Sequence, residues 1–282
     1  MSETIAIIAP GMMGAGIGAR LSSRGARIIT LLEGRSAATV ARAKQAGMTG
    51  ANVEDIVKAD IILSVLPPGD AVALARMLAP ALTQSETKPA YADLNAVNPD
   101  TAVEIGDIIE PTGCRYVDGG IIGGPPRDGY DGPVIYLSGP HASALRDLND
   151  LGLRCRELDE TIGTASALKM CYGGVTKGVT AIGVTLALAA SRAGIAEALR
   201  TELQASQPVL FASLQRSVPD MFSKAYRWVA EMEEISTFVG DRAEGGVHKA
   251  IAGLYDRLAN DERGDRREID ALARFFRKDD PA

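Results

Sequence analysis

Glu3-Thr4-Ile5-Ala6-Ile7-Ile8-Ala9 runs straight into Pro10-Gly11-Met12-Met13-Gly14 near the start of the chain. The apolar run reads as a buried strand, the glycines allow a tight turn, and the segment through Arg24 reads as a helix. A helix N-terminus placed there offers unpaired backbone N–H groups to a pyrophosphate. A second apolar run, Arg27 to Leu32, ends at Glu33, close to where this arrangement needs an acidic residue for an adenosine ribose. The usual Gly-x-Gly-x-x-Gly spacing is here Ala9-x-Gly11-x-x-Gly14. Alanine at the first position is tolerable if the backbone there needs no positive φ.

The rest of the first half continues the pattern. Short β-rich runs at Thr4–Ala9, Arg27–Leu32, near Met48, Ile61–Val65, Ala90–Leu94, Arg115–Gly119, Val134–Ser138 and Arg154–Glu157 alternate with helical segments, among them one at His141–Leu148. Pro67-Pro68 stops one strand where a parallel sheet would open its ligand crevice. From Gly163 the character changes. Thr164 to about Arg192 is one Ala/Gly/Leu-rich segment, and everything after it has helical periodicity, with Pro208 and Pro219 marking stops or starts. The expected division is 1–162 and 163–282, and the charged tail Arg277–Asp280 reads as solvated.

The 282 residues suit two domains better than one. A formal charge of −6 without a basic block argues against a nucleic-acid surface. The scattered Cys114, Cys155 and Cys171 predict reduced thiols and a cytoplasmic protein. The start of the chain does not read as a signal peptide. Val179 to Ala190, the most apolar later run, reads as too short to span a bilayer, so no membrane is expected. With only His141 and His248 there is no ligand cluster, and no metal is expected.

Lys169 is the leading catalytic candidate. A lysine inside an apolar, small-residue helix must snorkel, find a partner or act as an acid/base. Tyr172 shares its face and either helps hold the substrate oxygen or faces the core. Gly173 and Gly174 would let a substrate or nicotinamide approach the helix, while Lys177 reads as a surface or domain-interface charge. Asp118-Gly119-Gly120-Ile121-Ile122-Gly123-Gly124-Pro125-Pro126 reads as a loop whose two glycine pairs expose N–H groups to a carboxylate, or as a plain turn.

Four segments in order resemble the β-hydroxyacid dehydrogenases, a family related to 6-phosphogluconate dehydrogenase: Pro10 to Gly14, Asp93 to Pro99, Asp118 to Gly124 and Gly163 to Lys169. The C-terminal third, with Glu231-Met232-Glu233-Glu234-Ile235 beside Trp228, resembles a poorly characterised domain on a divergent branch. The resemblance implies an α/β fold, a Rossmann-type dinucleotide-binding domain followed by an all-α domain, with a site in a cleft. It implies an NAD(P)-dependent oxidoreductase acting on a hydroxy acid or a related alcohol or carbonyl compound, with Lys169 catalytic. Cofactor contacts fall on Gly11, Met12, Met13, Gly14, Glu33, Arg35, Ser36, Leu66, Pro67 and Asn95. Substrate contacts fall on Ile122, Gly123, Gly124, Tyr172 and Gly173. Ile122 stands in place of a substrate-binding serine, and Tyr172-Gly173 in place of paired asparagines, so a less polar ketone or imine is an alternative substrate. A non-catalytic dinucleotide-binding regulator is another. Arg35-Ser36 favours NADP, whereas Glu33 favours NAD. The helical domain is expected to form a homodimer.

Overall fold

The computed structural model describes residues 3–127 and 129–277; within the charged tail it therefore reaches only Arg277. The chain divides into two compact units, Met1–Met170 and Cys171–Ala282, so the first turns of the long helix belong with the sheet.

In the first unit β1 (Thr4–Ile8), β2 (Arg27–Leu31), β3 (Met48–Ala51), β4 (Ile61–Ser64), β5 (Ala90–Asp93), β6 (Arg115–Ile122), β7 (Val134–Ser138) and β8 (Cys155–Glu157) form one sheet. Its order is β3-β2-β1-β4-β5-β6-β7-β8. The first six strands run parallel, β7 turns back against β6, and β8 is parallel to β7. Helices α1 (Met12–Ser23), α2 (Ala37–Gln45), α3 (Val53–Ile56), α4 (Ala71–Gln84) and α5 (Pro99–Ile109) make the crossovers. This is a Rossmann-type sheet, and its winding reverses between β1 and β4. Because both faces are covered, β1 is apolar throughout rather than alternating. Ile5 and Ile7 pack with Ile17, Leu21 and Val117 on one face, while Ala6 and Ile8 pack with Leu74, Leu78 and Ile105 on the other.

Two expectations are corrected here. The first position of the glycine pattern does take a positive φ: Ala9 sits at +70°, a conformation costing an L-residue about 1–2 kcal/mol.

 Gly14 must be glycine for a linked reason, since a Cβ there would collide with the Ala9 carbonyl oxygen. The second correction concerns Gly119-Gly120, which lie inside β6 rather than in a loop. Pairing with β7, from Asp118↔Ser138 to Ile122↔Val134, carries the strand through them. Only Gly123 and Gly124 remain to expose backbone beyond its end. The segment expected as a helix at His141–Leu148 forms a 3-10 helix, Ala142–Asn149.

Helix α6 (Thr164–Arg192) starts in the first unit and continues into the second. It is followed by α7 (Ala196–Ser206), α8 (Pro208–Phe222), α9 (Ala225–Val239), α10 (Ala243–Arg263) and α11 (Arg267–Phe275). Pro219 lies inside α8 and does not end it. It is exposed, so water can satisfy the carbonyl left without a donor. In the second unit, Phe211 packs among Phe275 and Phe276, and the Arg200 side chain donates to the carbonyls of Phe275 and Arg277. Lys177 is not a surface charge. Its ammonium lies 2.5 Å from Glu231 Oε1, with 14% and 12% of the two side chains exposed, and 5.4 Å from the centre of the Trp228 ring. The run Val179–Ala190 belongs to a helix of 29 residues, which is long and apolar enough by length and composition to cross a membrane. Its Ala181, Val184, Ala187 and Leu188 are buried.

Candidate functional site

The carboxyl ends of β1, β2, β4, β5 and β6 lie along one edge of the sheet, because these strands are parallel. At the end of β1, Gly11 is the N-cap of α1 and gives the helix no side-chain cap. The N–H groups of Met12, Met13 and Gly14 belong to the first helical turn, which has no carbonyl partners within the helix. A Cβ on Gly11 would meet nothing within 4 Å. The space beside Gly11 is therefore open, and the 12-residue helix that starts there has no side-chain cap. That combination fits a dinucleotide pyrophosphate.

Glu33 and Arg35 are exposed beyond β2, with Gly34 between them at φ +70°. Ser36 is the N-cap of α2: its Oγ accepts from Thr39 N at 3.3 Å and lies 3.1 Å from Thr39 Oγ1. Beyond β4, the Leu66 N–H donates to Asn95 Oδ1, and Asn95 Nδ2 donates to Ser64 Oγ at 2.8 Å and to Asp93. Asn95 is 2% exposed. Its side chain thus braces the Leu66-Pro67 loop from beneath. The cofactor-side positions are brought to one edge, but Asn95 serves them from inside.

Asp93 and Asp118 face each other in register on β5 and β6, and both are fully buried. Burial, followed by the nearby Asp118 charge, pushes the Asp93 carboxyl up to about 7, against hydrogen bonds from Ser64 and Asn95 that lower it. Among the described residues Asp93 Oδ2 has no hydrogen-bond partner. Asp118 is differently placed. Its Oδ2 accepts from Ser138 Oγ at 2.8 Å, Gly163 N at 3.0 Å and Ser166 N at 3.1 Å, and its Oδ1 accepts from Ser166 Oγ at 2.6 Å. Ser138 Oγ in turn accepts from Ala165 N at 3.0 Å. The N–H groups at the start of α6 are thus satisfied by side chains of β6 and β7. Sequence patterns miss this cap because Asp118 lies 45 residues before Gly163.

The anchored helix delivers Lys169. Its ammonium donates to Ile121 O at 2.7 Å, next to the half-buried Ile122 at the end of β6. Gly120 permits this close approach: a Cβ there would lie 2.7 Å from Ala165 O and 3.0 Å from Lys169 Cβ. Beyond Ile122, Gly123 has φ +126° and Gly124 is exposed. The following prolines lie over α1, where a Cβ on Gly16 would be 3.0 Å from Pro125 and 3.1 Å from Pro126. Arg20 on α1 holds the same loop by donating to Tyr130 O and Asp131 O, both at 3.3 Å. Lys169, Ile122 and the glycine pair therefore share one edge with the dinucleotide loop.

Tyr172 and Gly173 belong to the second unit. Tyr172 is 48% exposed. Gly173 is not an open approach to the helix: it is buried, and a Cβ on it would lie 3.1 Å from Glu231 Oε1 and 3.6 Å from Ile235 Cδ1. Its missing side chain admits α9. Gly174 is covered similarly by His248, whose Nε2 would be 3.1 Å from an added Cβ. Among the described residues no group of three or more His, Cys, Asp or Glu side chains could hold a metal ion.

Residues 4–151 match the family described as the NAD binding domain of 6-phosphogluconate dehydrogenase, and residues 190–258 match a domain of unknown function, DUF1932. An uncharacterized 28.5 kDa protein in the 7S RNA 5′ region of Methanothermus fervidus is 29% identical over 180 residues, 63% of this chain and 67% of that protein. A solved conserved protein of unknown function, described as structurally similar to 3-hydroxyacid dehydrogenases, is 28% identical with a TM-score of 0.68, covering 92% of this chain and 98% of its own. A conserved hypothetical protein from Sinorhizobium meliloti 1021 is 26% identical at TM-score 0.68, covering 98% and 97%. Solved 3-hydroxyisobutyrate dehydrogenases and imine reductases share the fold at 14% to 23% identity.

Proposed function

The chain belongs to the family of the NAD binding domain of 6-phosphogluconate dehydrogenase, and on that premise we propose that it is an NADP-preferring oxidoreductase acting on a hydroxy acid or a related alcohol or carbonyl compound. The observation that carries this reading is the placing of Lys169, 2.7 Å from Ile121 O, on the edge that also bears the uncapped N-terminus of α1. The nicotinamide, when bound, supplies a site that accepts or gives up hydride at the substrate carbon. Met12, Met13 and Gly14 would hold the pyrophosphate by their N–H groups, and Arg35 would pair with the 2′-phosphate. Lys169 as the neutral amine would take the hydroxyl proton as the alcohol is oxidised, and as the ammonium would return one to the oxygen in the reverse direction. Ile121 O keeps the amine at the end of β6. The exposed backbone of Gly123 and Gly124 receives the substrate carboxylate.

A second reading, reduction of an imine or a less polar ketone, is favoured by Ile122, which offers an apolar contact beside Lys169. Purified protein assayed with hydroxy acids, alcohols, ketones and imines, each with both cofactors, decides between them through the change in nicotinamide absorbance. Hydroxy-acid turnover supports the first reading, and turnover of imines alone supports the second. Cofactor binding without turnover of any of them would instead make the protein a dinucleotide-binding regulator. The same proposal includes a homodimer through the helical unit. Val175, Val179, Ile182 and Leu186 recur at helical spacing on α6 and are 67%, 39%, 59% and 57% exposed, an apolar stripe suited to a second copy.

A further inference from the structure

Arg42 lies on α2, half-buried, and donates from Nη1 to Pro10 O at 3.2 Å. Pro10 immediately precedes Gly11, so this guanidinium sits against the turn that opens α1. A guanidinium carries five N–H donors in a planar fork. Apart from the bond to Pro10 O, the Arg42 guanidinium has no hydrogen-bond or ion-pair partner among the described residues. A half-buried guanidinium with donors to spare is suited to bind an incoming anion. The adjacent N-terminus of α1, uncapped and open beside Gly11, independently favours an anion in the same place.

The side of the turn on which Arg42 lies identifies which anion. Lys169 is held against β6, so the reactive end of a bound dinucleotide extends toward the β4–β6 half of the sheet. The adenosine end then lies over β2, on the other side of β1, and α2 follows β2 directly. Arg42 is thus on the adenosine side, with Arg35 exposed at the start of the same connection. Ser36 already caps α2. We infer that Arg42 is a specificity-determining residue that recognises the 2′-phosphate of NADP. The inference rests on the dinucleotide reading given above and adds to it a second cation, invisible in the Arg35-Ser36 pattern.

The test is calorimetric titration of the full chain and of its Arg42→Gln and Arg42→Lys variants with NADP⁺, NAD⁺ and 2′,5′-ADP. Arg42→Gln is expected to weaken NADP⁺ and 2′,5′-ADP by about 10–100-fold, the loss of one charged hydrogen-bonding group. NAD⁺ should weaken less than about threefold, which also reports that the site is still folded. Arg42→Lys, which keeps the charge without the fork, should fall between the parent and the glutamine variant for NADP⁺. Equal losses for NADP⁺ and NAD⁺ would overturn the inference and leave Arg42 as a brace for the loop. Unchanged affinities would overturn it outright, as would a lysine variant no better than glutamine. A parent protein that binds neither cofactor would remove the dinucleotide reading itself.

Discussion

Lys169 is the residue on which the proposed chemistry depends. Lys169→Ala is expected to lower turnover by about 10²–10⁴-fold, because proton transfer loses its carrier. Cofactor affinity should hardly change, since the proposed pyrophosphate contacts lie on α1. Single-turnover assays on a substrate found in the panel, with titrations of cofactor, separate the two effects; unchanged turnover would remove Lys169 from the mechanism. Asp93 carries a different prediction. Its folded-state value of about 7 exceeds the ordinary 3.8, so the native protein holds more protons than the unfolded chain between those values. Stability from this group is therefore fully present below about pH 4 and falls as pH rises toward 7. At about 1.4 kcal/mol per unit, the loss over that window is on the order of a few kcal/mol. Asp93→Asn should flatten this slope, gaining most over the parent near pH 8. Denaturant midpoints measured from pH 4 to 8 check it, and parallel curves for the two proteins would refute it. Position 93 was legible in the sequence only as part of the strand Ala90–Leu94 and of the segment that carries the resemblance, because the opposing carboxylate lies on another strand.

Among the elements, α6 shows most plainly how a distant residue sets a local structure. Its small residues predict a long helix with close packing, and Gly120 supplies the strand against which it lies. Its N-terminus is nevertheless held by Asp118 and Ser138, which no pattern within 163–192 contains. Asp118→Ala would leave Ser138 Oγ, Gly163 N and both Ser166 groups without their carboxylate acceptor. The expected cost is about 3–5 kcal/mol, read as a lower urea midpoint with an unchanged slope. A loss below about 1 kcal/mol would mean that water replaces the carboxylate. At the carboxyl end of β1, inside the sheet, Ala9 holds a positive φ and its carbonyl leaves no room for a Cβ on Gly14. The glycine spacing was readable there, but the sign of φ at Ala9 was not.

For the whole molecule, the proposed dimer can be tested by its apolar stripe. Ile182→Glu combined with Leu186→Glu should convert a dimer to monomers at micromolar concentration. Two charges facing one another across such an interface cost several kcal/mol. Sedimentation velocity would show the shift, and a parent that is monomeric throughout would remove the dimer. Both substituted side chains are more than half exposed, so each unit should keep its own stability.

The sequence by itself determined the alternation of strands and helices, the change of character after Gly163 and the glycine-spaced turn between β1 and α1. These follow from local periodicity, glycine spacing and apolar runs, which act over a few residues. Tertiary structure alone decided that Gly119-Gly120 continue β6, that Gly173 is covered by α9, and that Lys177 is buried with Glu231. It also decided that Asn95 braces a loop and that Asp118 caps α6. Each of these depends on what a distant segment presents at the same point in space. Burial, hydrogen-bond satisfaction and charge pairing are properties of that juxtaposition, and no window of adjacent residues contains them.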